Sequence, residues 1–179
     1  MMVAFAMCGV FALAGCEKEE VANASEENLV TNNQTSQTRA SGPSASGHGT
    51  LSIENTTIAG DGFRQFSFHA KEKKNGVVSG SGVLTYTGGV LKTRFNINCL
   101  EVNGNVATMS GTIISDSQTP QNEGLLYWFK VVDNGGGSNA DPDQLTLFYI
   151  GSDPLTYSCS ADYGVTLYDI EGGNVQVKE

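Results

Sequence analysis

The chain reads as an all-β protein: a single antiparallel meander domain that curls into a barrel-like form, with a two-sheet β-sandwich as the alternative, preceded by a signal peptide and a linker. Three observations predict this. Several segments alternate apolar and polar residues with the period of two that a half-buried strand requires. Turn-forming residue pairs recur between those segments, and no stretch after residue 47 carries the 3.6-residue apolar stripe of an amphipathic helix.

Residues 90–100 give the clearest strand, because Leu91, Phe95, Ile97 and Cys99 share one parity while Lys92, Arg94, Asn96 and Asn98 share the other. The same logic holds over 63–70, where Phe66, Phe68 and Ala70 oppose Gln65, Ser67 and His69. Further strands are expected over 50–58, 77–87, 105–115, 124–133, 144–150, 155–159, 163–169 and 174–178, most of them rich in Val, Ile, Thr, Tyr and Phe. Between them, Asn75-Gly76, Gly88-Gly89, Asn103-Gly104 and Gly172-Gly173 offer the positive φ angles of tight turns, so successive strands should be neighbours. The run L-L-Y-W-F-K-V-V at 125–132 is apolar on both faces, which predicts a central strand covered on each side.

Ahead of the domain, the first fifteen residues are uncharged and apolar, too short for the ~20 residues that span a bilayer but suited to a secretory signal. They lead into Leu13-Ala14-Gly15-Cys16, which resembles the lipobox of bacterial lipoproteins. The resemblance implies a signal peptide over 1–15, removed before Cys16, and a diacylglycerol on the Cys16 thiol. One departure from the pattern is that no Lys or Arg precedes the apolar run. The next residues, Glu17-Lys18-Glu19-Glu20, resemble the surface-export signal of Bacteroidota lipoproteins, a Lys followed by two acidic residues, with a plain solvated charge run as the alternative. Two or three acyl chains hold a protein stably where one does not. The expected location is therefore the outer membrane, lipid-anchored and facing the cell exterior, with the periplasmic face as the alternative.

From Val21 to about Gly47 the sequence is mostly Ser, Asn, Thr, Gln, Glu and Ala. It lacks the apolar surface needed to order itself. Residues 16–47 are thus expected to form a stalk whose mean reach is ~30 Å, and residues 48–179 one all-β domain. That domain holds fourteen Asp plus Glu against eight Lys plus Arg, part of a whole-chain net charge of −9. An acidic surface repels phosphate backbones, so nucleic acid is not an expected partner.

The order of pieces within the domain resembles the post-COAP domain, a family of secreted bacterial β-domains of unknown function. The stretches that carry the likeness are F-S-F-H-A-K-E-K-K-N-G-V-V-S-G-S-G-V-L-T-Y at 66–86, V-N-G-N-V-A-T-M-S-G-T at 102–112, F-K-V-V-D-N-G-G-G at 129–137 and G-G-N-V-Q-V at 172–177. This chain departs from the family by extra residues around 116–124 and 151–164 and by its cysteine pair. The resemblance brings no catalytic residues with it.

Once Cys8 leaves with the signal and Cys16 is lipidated, Cys99 and Cys159 remain. Outside the inner membrane two such thiols usually pair. A bridge would close a loop of about sixty residues, worth ~4 kcal/mol in the chain-entropy account; the rival is two separately buried thiols, since Cys99 lies on the apolar parity of its strand. Neither has the close Cys or His neighbours of a zinc site.

The loop from 133 to 143 gathers Asp133, Asn134, Asp141 and Asp143, an oxygen-rich composition that calcium favours, although Gly135 and Gly137 stand where an EF-hand would place ligands. A hairpin connection with no metal is the plainer reading, and no other cofactor is expected. No G-x-S-x-G, H-E-x-x-H or phosphate loop occurs, His48 falls in the stretch leading into the domain, and His69 lies on an outward strand face. Tyr149, Tyr157, Tyr163 and Tyr168 offer rings that stack on sugars or protein partners, or else fill the edge of a β-core. The expected function is a non-catalytic envelope module that binds a glycan or protein partner. A small envelope hydrolase and a structural surface-layer component are the alternatives.

Overall fold

The computed structural model describes residues 42–86, 91–137 and 139–179. Among the described residues ten strands form the fold: β1 Ser44–Ser52, β2 Phe63–Glu72, β3 Val78–Tyr86, β4 Lys92–Asn103, β5 Val106–Asp116, β6 Leu126–Val132, β7 Gln144–Thr146, β8 Tyr149–Gly151, β9 Leu167–Asp169 and β10 Gly172–Lys178. Two 3-10 turns, Ile53–Asn55 and Pro120–Asn122, are the only helical pieces among the described residues. No helix among them is long and apolar enough to cross a membrane.

All pairings are antiparallel, in the order β10-β1-β2-β3-β4-β5-β6-β7-β9, with β8 on β6. The sheet curls strongly into a half-barrel. The barrel-like meander expected from the sequence is therefore the observed architecture, and the sandwich is not. Its inward face is aromatic: Phe95 packs on Tyr127 with ring centroids 4.5 Å apart, Phe129 stacks on Phe148 at 4.5 Å, and Phe68 meets Phe129 edge-on at 5.3 Å.

The first strand starts at Ser44, so four residues assigned to the stalk belong to the folded domain, and His48 lies in a strand rather than in a loose lead-in. β1 is clasped between β2 and β10 along its length. It evades a hydrophobicity pattern because its inward positions include Gly47 and Gly49, over which the rings of Phe68 and Phe66 lie. A Cβ at Gly47 would stand 2.9 Å from Phe68, and one at Gly49 would stand 2.8 Å from Phe66. Most of the apolar mass of this layer comes from β2, and β1 adds Ala45, Leu51 and the room over its two glycines.

β4 alternates as expected up to Ile97, and a bulge then changes the phase. Ile97 pairs with Gly111 and Cys99 with Ser110, which leaves Asn98 as the extra residue. Two residues now oppose one, so Leu100 instead of Cys99 continues the inward row of Phe95 and Ile97. Cys99 turns to the outer face.

The strand expected over 144–150 is broken. Thr146 turns its hydroxyl to accept the Lys130 amide at 2.9 Å, and after this break Phe148 packs into the core between the two short strands β7 and β8. Residues 155–159, expected as a strand, form turns, with the Asp153 carboxylate capping the Leu155 amide and the Thr156 hydroxyl.

Candidate functional site

The disulfide between Cys99 and Cys159, with Cα atoms 5.7 Å apart, is present. It pins the segment between β8 and β9 against the outer face of β4. Under that segment lies Trp128, fully buried although it points away from the barrel interior, with Tyr163 and Tyr149 edge-on to its indole at 5.1 and 5.9 Å. The strand at 125–132 is thus covered on both sides as its composition predicts: core aromatics on one face, a cross-linked loop on the other.

Beside Trp128 the loop roofs a cleft of about 420 Å³. Its floor is β4, β5 and β6, carrying Glu101, Thr108, Lys130 and Val132, and its wall is Ser160 to Asp162. Lys130 Nζ donates to Asp162 Oδ1 at 2.6 Å and sits 5.8 Å from the Trp128 ring. That hydrogen bond, with a second from the Gly164 amide, holds the Asp162 carboxyl below the usual carboxylate range. Asp162 is 73% exposed, so solvent screens the pair, which orients Lys130 and adds only a little to the stability of the fold. The cleft offers one cation, two carboxylates and two hydroxyls beside the apolar Val106, Val132 and Leu167, which suits a ligand with many hydroxyl groups.

Three of the four residues of the acidic loop are engaged elsewhere. Asp143, 7% exposed, accepts the amides of Asn134 at 2.8 Å and Val175 at 2.7 Å. Asp133 accepts the amides of Gly135 and Val177, both at 2.9 Å, and Asn134 donates its side-chain amide to the Pro142 carbonyl at 2.6 Å. Asp141 is exposed. Since Val175 and Val177 lie on β10, the two carboxylates bridge the seam where the curled sheet fails to meet itself. Among the described residues no group of three or more His, Cys, Asp or Glu is arranged to hold a metal.

Of the tyrosines, Tyr168 is buried with its hydroxyl 3.1 Å from that of Thr57, and Tyr157 donates to the Ile150 carbonyl at 2.8 Å. Burial raises the Tyr149 hydroxyl pKa, with a smaller contribution from Tyr168. Only Tyr163, 42% exposed, presents an open ring edge. Sequence reasoning missed one juxtaposition: the β1–β2 register sets His48 opposite Ser67 and His69 opposite Ser46 on the outer face. No hydrogen bond joins either pair among the described residues, and no carboxylate completes a relay. Cys16, Lys18, Glu19, Glu20 and the Gly88-Gly89 turn lie outside the described residues. No protein-family model, curated protein or solved structure matches this chain.

Proposed function

We propose that the protein is a lipid-anchored cell-envelope module, held by Cys16 and displayed at the cell surface, that binds a glycan without cleaving it. The observation that carries the reading is the cleft under the disulfide-pinned loop, where Glu101, Lys130, Ser160 and Asp162 stand around the apolar Val106, Val132 and Leu167. Sugars are recognised by such a mixture, their hydroxyls taking charged and hydroxyl partners while their C–H faces lie on apolar or aromatic surface. The cross-link holds the wall in place before the ligand arrives, which lowers the ordering cost of binding.

The test is a glycan array probed with the full chain carrying Cys16→Ala, followed by amide NMR with any hit. Shifts at Glu101, Thr108 and Ser160, and a roughly tenfold weakening by Lys130→Ala, are expected. Binding that leaves those amides unmoved would refute the cleft. An envelope hydrolase is the second reading, favoured by the presence of both Glu101 and Asp162 in one cleft. Cleavage of an envelope polymer, lost in Glu101→Gln, would establish it in place of the first.

A further inference from the structure

A second cavity opens at the other side of the sheet, inside the half-barrel, at the end where β2 begins and β3 ends. Its volume is about 240 Å³. Most of its wall is apolar, built from Leu84, Phe95, Ile113, Tyr127 and Phe148. Two polar groups break that wall. Thr93 has the inward parity of Phe95 and Ile97 and is 6% exposed, and its hydroxyl oxygen is sealed from solvent with no hydrogen-bond partner among the described residues. Arg64 has the inward parity of Phe66, and its Nε is likewise sealed and without an acceptor.

Both orphans need an explanation, because buried donors without acceptors are rare and costly in native proteins. Arg64 is the stronger case. The ion pair formed among the described residues is Lys130 with Asp162, on the opposite face, so no described carboxylate neutralises the guanidinium. Its contact is with the face of Tyr86, 5.1 Å from the ring centroid, which steadies the planar head without taking up its N–H donors. Tyr86 is the cross-strand partner of Arg64, and Leu84 is that of both Phe66 and Thr93. The cation and the hydroxyl thus lie on neighbouring rows of one curved surface, in a chain whose net charge is −9. An acidic protein that keeps a cation unpaired at the mouth of an apolar cavity has built a receptor for an anion with an apolar body.

We infer that this cavity binds a small organic carboxylate, with its oxygens on the Arg64 guanidinium and its hydrocarbon against Phe95, Tyr127 and Phe148. A cavity of 240 Å³ holds about eight waters at ~30 Å³ each, so the ligand has roughly that many non-hydrogen atoms. Long-chain acids are too large to enter whole. Barrel mouths are a common place for such sites. This site is separate from the glycan cleft and does not depend on it.

The test uses the full chain carrying Cys16→Ala, which removes the acyl chains that would compete. Hexanoate and phenylacetate are titrated by calorimetry and by NMR of the Arg64 Nε–H, with hexanol and 2-phenylethanol as neutral counterparts of the same shape. The expected result is saturable binding of a carboxylate, a shift of the Arg64 Nε–H and of the Thr93 and Phe148 amides, and alcohols at least ~10-fold weaker. Arg64→Gln should weaken the carboxylate by roughly ten- to hundred-fold and bring it level with the alcohol. Arg64→Lys, which keeps the charge and loses the planar fork, should weaken it several-fold and serves alone if Arg64→Gln does not fold. Absence of saturation by either carboxylate, equal affinity for the alcohols, or unchanged binding in either folded variant would overturn the inference.

Discussion

Replacing Asp143 by Ala should destabilise the domain strongly, although its sequence context reads as a plain connection or a calcium loop. The carboxylate is almost fully buried and takes two backbone amides, Asn134 at 2.8 Å and Val175 at 2.7 Å. Hydrogen bonds to charged groups contribute about 1.5–3 kcal/mol each, and a buried amide left without an acceptor costs about 1–3 kcal/mol. Counting one bond at full value and the exposed-loop bond at less, Asp143→Ala should cost about 3–5 kcal/mol. Asp133→Ala, at a half-buried position, should cost about 1–2 kcal/mol. For a domain of this size 3 kcal/mol lowers Tm by roughly 10 °C. Urea denaturation gives the free energies, and hydrogen exchange gives the location, since the Val175 amide should lose protection before the amides of β4 and β5. A loss below about 1 kcal/mol with Val175 still protected would refute the idea that these carboxylates hold the seam.

The same occupancy predicts that millimolar calcium leaves Tm unchanged, because an ion would have to displace backbone donors from both carboxylates; a clear rise in Tm would return the loop to a binding role. Cys99→Ala with Cys159→Ala removes a cross-link spanning 60 residues and should cost up to about 4 kcal/mol in denaturation experiments, with proteolysis moving to residues between β8 and β9. Asp162 is held low by Lys130 and Glu171 by the Ser52 hydroxyl, so their stabilisation is present above the ordinary carboxylate range and is lost as pH falls through the depressed folded values. A thermal scan from about pH 6 to about pH 3 should show a falling Tm, with a shallower fall in Asp162→Asn. Proteinase K on intact cells should remove the domain, Lys18, Glu19 and Glu20 replaced by Ala should protect it, and Cys16→Ala should abolish palmitate labelling; survival of the wild type on intact cells but not after lysis would place it in the periplasm.

Where strands carry large side chains on one face, the sequence told the fold well. Phe66, Phe68 and Ala70 in β2, and Phe95 and Ile97 in β4, announce their inward rows by parity alone. The bulge at Asn98 leaves no such mark, because an extra residue that is neither Gly nor Pro is invisible to a period count, and so the direction of Cys99 was misjudged while its pairing was not excluded. The strand expected over 50–58 instead runs over Ser44–Ser52, for the opposite reason. Its interior positions before Leu51 are Ala45, Gly47 and Gly49, and small residues look like linker until the rings of Phe66 and Phe68 are laid over them. The acidic loop shows a different limit. A cluster of carboxylates near glycines has one composition whether its partners are cations or amides from a strand thirty residues onward, and only the curl of the sheet brings Val175 and Val177 to Asp143 and Asp133. Both cavities were hidden likewise, since each is assembled from strands far apart in the chain.

The pairing of β1 with β10 brings Ser44 opposite Lys178, so the start of the first described strand and the end of the last stand about 5 Å apart. A linker of a few residues could join them, and new ends could be opened at the exposed Asn103-Gly104 turn without breaking a strand ladder. The domain can therefore be treated as a cassette: spliced into a surface loop of another protein, it would enter and leave through one point, adding its bulk without spreading the host backbone.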